Sequence, residues 1–234
     1  MCGTCAGLGF LDRVCPECGF DGKSVPLTKQ DVTSLVLELE KCNVPRNYFG
    51  KNWSSDIFWV SHNNSRGNRL VESYVSQLEK VHEIFSSGQL PNRSVLFLAP
   101  SGHSKLTWAY SCMQHALKAG FKVAPMLDTL EIKRLFILSS EMPSRVMTGI
   151  DYETYISADV CFFTVIKSEQ RRNSFSVIQD LLDKRNRRGL TTVGLSRYSI
   201  SEISSWDRSG DFRKITVPQP EENLFKVPAI ISCL

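Results

Sequence analysis

Four cysteines, Cys2, Cys5, Cys15 and Cys18, form two Cys-x2-Cys pairs nine residues apart. That is metal-ligand spacing: each pair folds into a knuckle that aims two thiolates at one point, and two knuckles complete a tetrahedral Zn2+ site. Gly7, Gly9 and Gly19 beside the pairs permit the positive φ values that turn backbone N–H groups toward sulfur. So short a stretch cannot bury enough apolar surface to fold alone, so the metal would supply its folding energy. Four thiolates leave no position for water, and the predicted role is structural. Two chance pairs or two disulfides are the competing readings. The N-terminus lacks the basic-then-apolar pattern of an export signal, which weighs against disulfides.

A second constellation is the run Ala99-Pro-Ser-Gly102-His-Ser104-Lys105-Leu106-Thr107, set between an apolar run and a helical pattern. Phosphate-binding loops read Gly-x4-Gly-Lys-Ser/Thr, because bare backbone N–H groups wrap the phosphates while the lysine neutralises charge. Gly102 and Lys105 keep to that pattern. Ala99 replaces the first glycine, Ser104 the second, and Leu106 the hydroxyl that ligates magnesium. Leucine cannot bind Mg2+, a Cβ at Ser104 strains the cradle, and Thr107 comes one residue late. Two readings stay open here: ATP or ADP binding without turnover, and a loop-shaped scaffold that binds nothing.

Alternating helices and strands must position these residues. Thr28 can cap a helix whose apolar residues Val32, Leu35, Val36 and Leu39 recur with helical period. A second amphipathic helix is predicted from about Asn68 to Ser87, stopping at Gly88. Val95 to Ala99 reads as a strand buried on both faces. Lys105 to Ala119 continues as a helix, and further strands are predicted over Lys122–Leu127, Val160–Ile166 and Thr191–Leu195. Asp128 and Glu131 form a capping box for the helix between the second and third of these strands. Apolar strands alternating with helices imply an α/β fold, a doubly wound parallel sheet.

With 234 residues, 42% hydrophobic and 22% charged, the chain has room for one α/β domain and a small appendage. Its apolar runs fall short of the ~20 residues a membrane span needs, and the expected location is the cytoplasm. The net charge of +4 is unevenly spread. From Lys167 to Arg197 stand eight basic residues against Glu169, Asp180 and Asp183. A DNA-contacting patch, arginines donated to a neighbouring subunit, and a solvated helix end are the readings of this excess. His62, His82, His103 and His115 are not at ligand spacing. Trp53, Phe58 and Trp59 are best read as core.

The cysteine segment resembles one half of the zinc region of DnaJ-type chaperones, over the knuckles alone. The stretch from Asn43 to Trp206 resembles the DnaC/IstB-type AAA+ ATPases, the helicase loaders and their transposition relatives. Asn43-Val-Pro-Arg-Asn-Tyr48 looks like the family's Ile-Pro-x-x-Tyr segment, and Pro91 to Pro100 matches the strand entering its phosphate loop. Ala158 to Thr164 takes the place of the second catalytic strand, and Arg185 to Arg197 that of the arginine-rich helix end and sensor strand. The resemblance places Thr164 at the Walker-B position, where the family carries acids, and Ser196 at the sensor position. It makes Arg185, Arg187 and Arg188 candidates for an arginine finger or for DNA contact, and puts Tyr48 near a bound adenine. With Leu106 and Thr164 both unable to serve magnesium, phosphoryl transfer loses its metal-side groups.

These readings divide the chain into a four-cysteine zinc module (1–24), a helical connector (25–90) and a degenerate AAA+-like core (91–234) without the family's C-terminal helical lid. The function expected from the resemblance is that of an ATPase-deficient replication accessory protein of phage or mobile-element origin. It would bind a replicative helicase or single-stranded DNA and self-associate. The alternative is a protein-binding adaptor or inhibitor on a relic ATPase scaffold.

Overall fold

The computed structural model describes residues 29–54, 68–92, 94–98, 105–141, 151–166, 174–198, 202 and 229–232. In chain order its elements are α1 (Lys29–Lys41), a 3-10 turn (Arg46–Tyr48), α2 (Asn68–Ser86), β1 (Val95–Leu98) and α3 (Lys105–Lys118). Then come β2 (Leu127–Asp128), α4 (Thr129–Glu141), α5 (Tyr152–Ser157), β3 (Val160–Val165), α6 (Ser174–Arg187), β4 (Thr191–Ser196) and β5 (Ala229–Ser232). The helix ends obey local chemistry. Asp128 Oδ1 accepts from the N–H groups of Leu130 and Glu131, while Glu131 Oε2 accepts from Asp128 N–H, each at 2.8 Å. This is the reciprocal capping box foreseen from sequence. Helix α1 stops at Asn43, whose φ of 58° is left-handed, with Val44 N–H donating back to Leu39 O at 3.0 Å. Asn43 holds that conformation with a further bond from its amide to Met126 O.

All five strands run parallel in the order β2-β3-β4-β1-β5. Alternate residues serve opposite faces. Val95, Phe97, Val160, Phe162, Val193 and Leu195 face a core shared with α1, α2 and α3. Leu96, Leu98, Cys161, Phe163 and Val165 face a second core under α4, α5 and α6. Helices therefore cover both faces, as the continuous apolar runs require. Two expectations need correction. The strand foreseen over Lys122–Leu127 shrinks to Leu127–Asp128 plus a lone bridge from Val123 to Val160, because Pro125 has no N–H for a ladder. Strand β5, which pairs Val95–Leu98 with Ala229–Ser232, was not foreseen. Leu35, Leu39, Val44, Phe49, Trp53, Leu78 and Phe85, all within the stretch 25–90 read as a helical connector, are buried in the same cluster as Phe97 and Trp108.

Candidate functional site

Parallel sheets gather their chemistry at the carboxyl ends of the strands, and register decides which residues meet there. Leu98, the last residue of β1, pairs with Ser196, which pairs in turn with Val165. Thr164, one residue earlier, pairs with Leu195 on one side and Asp128 on the other. The loop leaving β1 returns to the chain at Lys105, the first residue of α3, so a lysine stands at a helix N-terminus beside this edge. Backbone N–H groups and the helix dipole make that position favourable to anions. Gly102, His103 and Ser104 of the loop lie outside the described residues, as do Cys2, Cys5, Cys15 and Cys18. So do Phe58, Trp59 and His62, and Lys167 with Arg171 and Arg172.

The side chains at the edge suit magnesium poorly. Leu106 is 40% exposed, an alkyl group where a hydroxyl would be needed. Thr107 is half-buried, as is Thr164. Asp128 holds the carboxylate whose strand position faces Thr164, but its Oδ1 accepts from two backbone N–H groups as a helix cap. The Ser196 hydroxyl is equally committed, accepting from Tyr198 N–H at 3.0 Å and donating to Tyr198 O at 3.1 Å. Thr129 Oγ1, buried, accepts from Ile166 N–H. A divalent cation needs oxygen ligands free to face it, and among the described residues Asp128 Oδ1 and the Ser196 hydroxyl are already engaged. Tyr48 is half-buried, its ring 4.7 Å from that of Tyr110 on α3, with Lys51 Nζ 5.4 Å from its centroid.

The three arginines separate sharply. Arg185 is fully buried. Its Nε donates to Thr192 Oγ1 at 2.9 Å, one terminal nitrogen to Ile156 O and Ala158 O, and the other to Asp159 O and Thr191 O. Five donors meet five acceptors, so no N–H is left for DNA or for a neighbouring subunit, contrary to the expectation from sequence. Arg187 and Arg188 are exposed on the next turn, and Arg188 pairs with Glu153 at 2.8 Å. Both stand where α6 runs into β4, at the amino ends of the strands, opposite the edge carrying Lys105.

Sequence reasoning missed a buried polar cluster on α3. Gln114 Oε1 accepts from Gly50 N–H at 2.7 Å while its amide donates to Tyr48 O. Ser111 Oγ accepts from Trp53 N–H and lies 2.8 Å from His82 Nε2. His82 and His115 meet edge to face, 5.3 Å apart, and burial pushes both down to about 4. The only signal in the sequence was two polar residues, Ser111 and Gln114, among the apolar ones of α3. Burial pushes Cys42 up to about 12 and raises Cys112 and Cys161 as well, so these three are inert thiols. Among the described residues no group of three or more His, Cys, Asp or Glu could hold a metal ion, and no helix is long and apolar enough to cross a membrane.

No protein-family profile and no curated protein matches the chain. Solved structures do. The crystal structure of the DnaC helicase loader aligns over 80% of this chain and 98% of its own, at a TM-score of 0.51 and 14% identity. The chain shares the fold of the DnaC helicase loader. The crystal structure of DnaI aligns over 77% of this chain and 92% of its own, with a TM-score of 0.46 and 14% identity. Identity this low carries fold and no more. The DnaC structure aligns along nearly its whole length, so the likeness is one of overall architecture rather than a local coincidence.

Proposed function

We propose that this chain is a replication accessory protein of the helicase-loader kind that binds ATP or ADP without hydrolysing it. Its partners are a replicative helicase and single-stranded DNA. The observation that carries the reading is the register at the carboxyl edge: a loader-type sheet brings Thr164, Ser196 and the start of α3 to one edge, where Asp128, the acid paired with Thr164, serves through Oδ1 as a helix cap. Phosphoryl transfer depends on positioned metal and charge, so loss of those groups supports binding without turnover. Fold alone would not fix function; the retained lysine and the lost acids narrow it. The N-terminal cysteines form a structural zinc site that completes the partner-binding surface.

Calorimetry tests the nucleotide half. Full-length protein is expected to bind ATP equally with and without Mg2+, to show no turnover, and to lose binding on Lys105→Ala. Turnover by the wild type would sink the reading. Absence of binding would leave a protein-binding adaptor on a relic scaffold, to be pursued through its protein partners. Metal analysis tests the zinc half: one zinc per chain is expected, released by a strong chelator and abolished by Cys15→Ser with Cys18→Ser. DNA binding is expected to weaken steeply with salt, with Arg187 and Arg188 as the arginines to substitute.

A further inference from the structure

Between α1 and residue 54 the chain crosses α3 as an irregular strap whose one regular element is the turn Arg46–Tyr48. Apolar anchors seat it: Cys42, Val44, Phe49 and Trp53 are all buried. Apolar contact alone would fix neither register nor an all-or-none attachment. The polar bonds do. Gln114 holds Gly50 N–H and Tyr48 O, Ser111 holds Trp53 N–H, and His82 on α2 closes the set through Ser111. All of this lies in an otherwise apolar interface formed with Trp108, Cys112 and Met113. Partial lifting would strand buried donors and acceptors without partners, the costly outcome for a polar group away from water. States in which the strap is half detached are therefore disfavoured.

We propose that residues 42–54 form a latched strap, released from α3 as one unit with Gln114, Ser111 and His82 as the latch, and that its release takes up protons. The proton link follows from what faces the latch. His115 and Lys118 approach it from α3, Trp53 from the strap, and Glu79, Lys80 and Glu83 flank His82 on its own helix. Among the described residues no ion pair joins either imidazole to a carboxylate, so no carboxylate rewards their protonation in the latched state. Lifting the strap hydrates both rings, which then protonate. The inference does not depend on nucleotide binding.

Native-state hydrogen exchange on the full chain decides it. The amides of Gly50 and Trp53 are expected to share one opening free energy, smaller than that of Val193 and Leu195 in β4. After correction for intrinsic rates, their opening should become more frequent between about pH 7 and about pH 5. Ser111→Ala and Gln114→Leu should each accelerate both amides by about tenfold and leave β4 unchanged. The proposal is overturned if Gly50 and Trp53 exchange only with β4, if each variant frees only the amide it bonds, or if opening ignores pH. Should a variant fail to fold, a urea series on the wild type suffices: the two strap amides must merge onto one isotherm below that of β4.

Discussion

Arg185 bears a charge in the core and, among the described residues, forms no ion pair. Burial lowers its pKa from the ordinary arginine value, and five oxygens compensate, two of them, Ile156 O and Ala158 O, from the end of α5. A guanidinium suits this position because its planar fork offers five donors, whereas lysine offers three. Removing it strands the carbonyls of Ile156, Ala158 and Asp159 on one segment and of Thr191 on another. Arg185→Met is expected to cost about 3 kcal/mol or more, read as a lowered urea midpoint, with Arg185→Lys intermediate. Arg187→Ala and Arg188→Ala should each stay within about 0.5 kcal/mol, so any effect they have on DNA or partner binding can be read as contact. Burial lowers the pKa values of His82 and His115 as well, and with no such ring of acceptors around them among the described residues. Their pKa values stand at about 4 in the fold against an ordinary 6.5, so the unfolded chain binds more protons between those limits. Stability is therefore intact above about pH 6.5 and falls as the pH drops toward 4. Urea midpoints measured at about pH 7 and about pH 5 should show the loss, and His82→Gln should flatten it.

The elements depend on one another most tightly in the sheet. Gly194 in β4 sits between β1 and β3, and a Cβ there would lie 2.9 Å from both Leu96 Cδ1 and Phe163 Cζ. Its lack of a side chain lets Leu96 and Phe163 pack over the strand. Gly194→Ala is expected to destabilise by about 1–3 kcal/mol through overpacking, visible in thermal unfolding. Helix α3 fills a similar role on the other face. Phe97 stacks on Trp108 with ring centroids 5.2 Å apart, and Trp108 Nε1 donates to Leu78 O on α2. The helix bearing Lys105 is thereby fixed to both the sheet and α2. The helices were legible from their period and caps: the Asp128–Glu131 box and the stop at Gly88 are local chemistry. Strand β2 is shorter than its apolar run suggests because hydropathy hides the effect of Pro125, and β5 escapes notice because four residues give too little pattern.

At the scale of the whole chain, the parallel order of β1, β3 and β4 could be expected from apolar runs spaced by helices. The union of α1, the strap and α2 with the core could not. That union depends on long-range contacts such as Gln114 to Gly50 and Cys42 Sγ to Val123 O, which leave no periodic trace in sequence. The candidate site was legible in part for the same reason. Lys105, Leu106 and Thr164 follow from local motif order, and the register places Thr164 beside Asp128 and one residue short of the pair formed by Val165 and Ser196. The fate of Arg185 was hidden, because a buried arginine and an exposed one have the same letter and the same neighbours. What distinguishes it is the ring of carbonyls closing from α5, from Ala158 and Asp159 just after it, and from β4.

Strand β1 has as neighbours β4, beginning at Thr191, and β5, beginning at Ala229. Both lie far downstream. During synthesis the four apolar residues Val95 to Leu98 therefore leave the ribosome well before anything they pair with exists. Helices on either side of β1 can form early, but the sheet cannot close around it until the last of its strands is made. Contacts of such wide sequence separation slow folding and leave an apolar strand exposed to other chains meanwhile. A molecule built this way relies on shelter during its own manufacture, and a nascent chain stalled before residue 229 would present β1 with one edge open.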